Sequence, residues 1–185
     1  MKKYLLIPAS ILLICLLSII NLFAKDTIPA SIYDFKVKAL NGTTINFSHF
    51  KGKKILIVNT TTLATNNPQY AELEALSEKY KDKLVIIGFL AVDFLKPPGG
   101  TKDFSPRDIN EYKVTFPLAE QVRVGGVNIA PIYKWLTDIN YNKYKTTDIK
   151  WDFQKYLINE KGELVEEFDP NTRVTNQKII DAIEK

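Results

Sequence analysis

Ile55-Leu56-Ile57-Val58 and Leu84-Val85-Ile86-Ile87-Gly88-Phe89 are two unbroken apolar runs, and the stretch that joins them decides the fold. Each run has the length and the β-branched content of a strand buried on both faces. Between them a polar loop, Asn59 to Asn67, leads to Pro68, which opens a helix. Tyr70, Leu73, Leu76 and Tyr80 recur there at helical spacing, and Lys81-Asp82-Lys83 closes the segment. A strand, a helix and a strand in this order call for a right-handed crossover, with the helix buried against a parallel pair.

Upstream, Tyr33 to Ala39 alternates apolar and polar residues at the strand period. Asn41-Gly42 predicts a tight hairpin in which both central residues take positive φ, and Thr44 to Phe47 is the returning strand. Downstream, Lys96-Pro97-Pro98-Gly99-Gly100 reads as a surface loop and Ser105-Pro106 as the start of a short helix through Tyr112. Pro131 to Leu136 begins another helix. Trp151 and Phe153 alternate with Asp152 and Gln154 on a predicted strand ending near Ile158. Asn159-Glu160-Lys161-Gly162 turns that strand into Leu164 to Phe168. From Thr175 to Lys185, Ile179, Ile180 and Ile183 share one helical face. This order predicts an α/β chain of thioredoxin-like form. A central mixed sheet is flanked by helices and preceded by an N-terminal β-hairpin, in one domain over residues 25–185.

The first 24 residues stand apart from that core. Met1-Lys2-Lys3 is followed by an apolar run from Tyr4 to Ala24, and Ala24 offers a small residue before Lys25. This pattern fits a cleaved signal peptide, and its length also approaches that of an uncleaved anchor. Either reading places the domain outside the cytoplasm, periplasmic or secreted, with membrane association possible through residues 1–24. Cys15 lies mid-run after Ile14, which does not suit a lipid-attachment signal. Without Lys2 and Lys3 the net charge falls from +4 to +2, with bases and acids interspersed, so a nucleic-acid partner is not indicated. Cys15 is the chain's one cysteine, and His49 its one histidine. The domain after residue 24 therefore has no disulfide, no thiolate nucleophile and no His/Cys metal cluster, and no cofactor is expected. His49 reads as a surface or packing residue.

Several stretches, in order and register, resemble the glutathione peroxidase family. They include Tyr33-Asp34-Phe35, Asn41-Gly42, Phe50-Lys51-Gly52-Lys53, Leu56-Ile57-Val58-Asn59 and Pro68-Gln69-Tyr70 with Leu73-Glu74. Val114-Thr115-Phe116-Pro117, Pro131-Ile132-Tyr133-Lys134-Trp135 and Lys150-Trp151-Asp152-Phe153 continue the match. The short polar region between Trp135 and Trp151 is similar to that of the family's smaller monomeric members, which implies a monomer. The family's nucleophile is a cysteine or selenocysteine at the N-terminal end of the helix after the first buried strand. Exposed N–H groups and the helix dipole stabilise a thiolate there. That thiolate attacks a peroxide oxygen and becomes a sulfenic acid, which other thiols then reduce. Glutamine, tryptophan and asparagine complete the family's tetrad.

Carried over residue by residue, the resemblance puts the nucleophile position on Ala64, the glutamine on Asp93, the tryptophan on Trp151 and the asparagine on Asp152. Thr65 replaces the glycine after the nucleophile, and the Ser105–Tyr112 segment carries no resolving cysteine. Because Thr65, Asn66, Asn67, Leu90, Val92, Asp93 and Asp152 depart from the pattern together, natural loss explains Ala64 better than one engineered change. The family label implies thiol-dependent peroxide reduction and a role in oxidative stress. The residues instead imply a pseudoenzyme, a binding module that uses the old cleft. If Asp93 and Asp152 converge, they can share a proton or hold a hard cation such as calcium with help from Asn66 and Asn67. They can equally face solvent at the cleft edge. Hydrolysis by the same pair is a further reading, with no oxyanion donors evident. Trp151 either lines a shallow pocket for an apolar ligand or packs into the core; alternation on a strand favours packing.

Overall fold

The computed structural model of the chain describes residues 28–60, 68–94 and 113–185. The two apolar runs form β3 (Lys54–Thr60), buried along its whole length, and β4 (Leu84–Ala91). They pair in parallel with Leu56 opposite Ile86 and Val58 opposite Gly88. The crossover between them holds α1 (Pro68–Lys79), whose Tyr70, Leu73 and Leu76 are buried.

β5 (Leu118–Val122) adds to β4 in parallel, and β6 (Lys155–Ile158) adds to β3 in antiparallel sense. β7 (Leu164–Phe168) then pairs with β6, which gives the order β5-β4-β3-β6-β7. Alternate residues of β3 serve opposite faces. Leu56 and Val58 pack with α1 and with Ile179 and Ile183 of α4 (Gln177–Glu184). Ile55 and Ile57 pack with Ile132, Tyr133, Trp135 and Leu136 of α2 (Pro131–Thr137). A one-turn helix, α3 (Ile139–Asn142), follows α2. The chain thus has the expected thioredoxin-like architecture, a mixed sheet with helices on both faces.

The N-terminal hairpin is present but short, β1 (Lys36–Lys38) against β2 (Thr44–Asn46). Tyr33-Asp34-Phe35 does not belong to it. Ser31 caps a 3-10 turn over Ile32–Asp34, and the Tyr33 hydroxyl donates to the Glu160 carbonyl at 2.8 Å. The hairpin turn also differs from expectation, since of Asn41 and Gly42 only Gly42 takes positive φ (82°). Asn41 instead accepts from the Thr43 amide and hydroxyl, so the loop closes through its side chain. The largest departure concerns Trp151 to Gln154, which is a turn and not the start of a strand; β6 begins at Lys155. β5 and α3 had no counterpart in the sequence reading. The predicted helix Ser105–Tyr112 lies outside the described residues.

Candidate binding cleft at the carboxyl edge of the sheet

β3, β4 and β5 all run the same way and end at Thr60, Ala91 and Val122, while antiparallel β6 begins at that edge. The segments that follow β4 and β5 and the one that precedes β6 therefore meet there. Open α/β sheets hold their ligands outside the carboxyl ends of strands.

Asn59, fully buried near the end of β3, fastens the third segment. Its amide donates to the Gln154 carbonyl at 3.3 Å and its carbonyl accepts from the Phe153 amide at 2.6 Å. Its Nδ2 donates to the Trp151 carbonyl at 2.9 Å. These bonds hold Phe153 in the left-handed region (φ 65°), which is uncommon for a residue with a side chain. The Phe153 ring is buried edge-on against Tyr70, with centroids 5.5 Å apart. Breaking the strand alternation at Phe153 turns Trp151 outward. The Trp151 ring is 55% exposed and leans on Phe94 at 5.0 Å, so the expectation that it packs into the core is corrected.

Asp93 stands just before Phe94. Its Oδ2 accepts from the Val124 amide at 2.7 Å, and its Oδ1 lies 3.9 Å from the Arg123 guanidinium. Asp152 is half-buried. Its charge is felt by the phenol of Tyr133, whose pKa burial drives well above the ordinary tyrosine value, with Tyr156 and Asp152 adding to the shift. Tyr133 thus stays a protonated donor. Its hydroxyl and Asn59 Oδ1 are buried without a hydrogen-bond partner among the described residues.

Lys155 opens β6 on the other face and is fully buried. Its Nζ donates to Gln69 Oε1 at 3.0 Å, to the Pro170 carbonyl at 3.2 Å and to the Thr172 carbonyl at 2.6 Å. The first turn of α1 is thereby tied to the turn after β7, and an Arg173–Glu72 ion pair joins the same two elements. All three acceptors of Lys155 are uncharged, and burial lowers its pKa to about 8. Arg173 acts in the same direction, while Glu72 and Asp169 oppose it.

A cleft of about 380 Å³ opens between these segments, lined by Asp93, Phe94 and Arg123 and by Thr147, Asp148 and Ile149. Of the four tetrad positions, Asp93, Trp151 and Asp152 come to this edge, with Phe94 joining the segment after β4 to the one before β6. Ala64 lies outside the described residues, as do Thr65, Asn66 and Asn67. Among the described residues no three His, Cys, Asp or Glu side chains gather where a metal ion could be held. His49 is exposed and meets Asn46 at 3.3 Å. Sequence reasoning missed Arg123, because the strand before it was not seen. It also missed Asn59, Tyr133 and Lys155, whose roles depend on partners far away in the chain.

The mixed sheet with helices on both faces defines the thioredoxin-like fold class, and comparison with known proteins narrows it. The family model for glutathione peroxidase matches residues 32–137. A glutathione peroxidase homolog, BsaA, of Halalkalibacterium halodurans is 35% identical over 157 residues, covering 84% of this chain and 98% of its own length. The glutathione peroxidase-like peroxiredoxin gpx1 of Schizosaccharomyces pombe is 36% identical over 138 residues, covering 74% of this chain and 87% of its own. Among solved structures, apo Trgpx superposes with a TM-score of 0.63 at 30% identity, over 84% of this chain and 96% of that one. The chain belongs to the glutathione peroxidase family.

Proposed function

We propose that this chain is a catalytically inactive member of its family that serves as an extracytoplasmic binding module. The observation that carries the reading is in the sequence. The single cysteine is Cys15, and the position that the resemblance gives to the nucleophile is Ala64. A methyl group cannot attack a peroxide oxygen, and a threonine hydroxyl nearby cannot cycle between thiolate and sulfenic acid. Function has to be argued from the site and not from the fold. What supports binding is a cleft of mixed polarity, with the exposed Trp151 resting on Phe94 of its lining. The positive start and apolar run of residues 1–24 support placement outside the cytoplasm.

The test is a peroxidase assay on the purified domain with hydrogen peroxide and an organic hydroperoxide, using glutathione or thioredoxin as reductant. Peroxide should be consumed no faster than in buffer. Turnover above that rate overturns the inactive reading.

A further inference from the structure

We propose that the cleft lined by Asp93, Arg123 and Asp148 binds the zwitterion of an apolar α-amino acid, free or at the end of a short peptide. The proposal rests on the reading of the chain as a binding module and gives that module a ligand class. Three features of the lining carry it. Arg123 is half-exposed, and its guanidinium meets one carboxylate among the described residues, Asp93 at 3.9 Å. Asp93 is itself held by the Val124 amide, so it anchors Arg123 while leaving most of the five N–H donors for an incoming carboxylate. Asp148, in the lining of the same cleft, is exposed and makes no ion pair among the described residues, which suits an ammonium group. Phe94 and Ile149 supply the apolar wall, and Trp151, resting on Phe94, extends it into solvent.

With Asp93 offsetting Arg123 and Asp148 left over, a simple anion would meet net negative charge and a simple cation would leave Arg123 unused. A zwitterion answers both. The cleft volume of about 380 Å³ lies toward the small end of ligand pockets, which suits an amino acid or dipeptide.

Binding is read on the unaltered chain by the fluorescence of Trp151, the exposed one of the two tryptophans, and by calorimetry. Phenylalanine should bind with sub-millimolar affinity. N-acetylphenylalanine, which lacks the ammonium, and phenethylamine, which lacks the carboxylate, should each bind at least about tenfold more weakly, the usual cost of losing a charge-assisted contact. Arg123→Gln and Asp148→Asn should reproduce those two losses. Glutathione, without an apolar side chain, should bind more weakly than phenylalanine. The absence of any signal with phenylalanine, equal binding of either truncated probe, or tighter binding of glutathione would each overturn the proposal. Peroxide turnover is a separate readout: it bears on the inactive reading alone, while the probe series bears on the ligand class alone.

Discussion

At the scale of single residues, Lys155 shows how a buried ammonium is tolerated inside this fold. Its ammonium is enclosed by one side-chain amide and two backbone carbonyls, with no charged acceptor among those bonds. Burial lowers the folded-state pKa to about 8 from an unfolded value of 10.5, so between those values the unfolded chain binds more protons. Stability therefore rises with pH through that window, as the cost of burying the charge is relieved. Tyr133 and Tyr156 have the opposite effect, because burial raises their pKa values above 10 and their contribution is lost as pH climbs further. Urea midpoints measured against pH should accordingly rise from pH 8 toward pH 10 and fall beyond it. Lys155→Met should abolish the rise while keeping the fall. It should also lower stability near pH 7, because Gln69 Oε1 and the Pro170 and Thr172 carbonyls lose their shared donor. A flat alkaline profile in the unaltered protein would show that Lys155 is not held charged as described.

At the scale of elements, the turn between β6 and β7 is coupled to the N-terminal 3-10 turn. Gly162 takes φ 84°, and a Cβ placed there would stand 2.5 Å from Cε2 of Tyr33. Tyr33 is held by its hydroxyl bond to Glu160, so the ring cannot simply step aside. Gly162→Ala should lower stability by about 1–3 kcal/mol through strain and overlap together, measured by chemical denaturation. Tyr33→Ala in the same background should recover part of the clash component, since the two residues meet directly. Element boundaries also show where sequence patterns suffice. β3 and β4 were legible because burial on both faces leaves a continuous apolar run, and α1 because its apolar spacing follows Pro68. β5, Leu-Ala-Glu-Gln-Val, was not legible because it shows no strand alternation and is recruited by pairing with β4. The strand predicted from Trp151 failed because Phe153 adopts a left-handed backbone, a choice enforced by Asn59 from almost a hundred residues away.

At the scale of the whole molecule, the family's sheet is kept, and the residues at three of the four tetrad positions that the resemblance assigns are different. Asp93, where the resemblance places the glutamine, belongs to an ion pair with Arg123 that also fixes the segment after β5. The export proposal is tested on the full chain expressed in a bacterial host. The expected product is either an extracytoplasmic protein beginning at Lys25 or a membrane-bound form retaining residues 1–24, distinguished by fractionation and N-terminal sequencing; a soluble cytoplasmic product would contradict it. The amino-acid sequence by itself determined the sandwich, through two buried apolar runs and the helix between them, and it determined that no thiol follows Cys15. Both are properties of composition and periodicity, which local chain chemistry records. Only the tertiary structure decided that Trp151 faces solvent on Phe94, that Asp93 is engaged by Arg123 and Val124, and that Asp148 lines the same cleft. Those relations join segments distant in the chain, and they depend on which strand ends the sheet brings to a common edge.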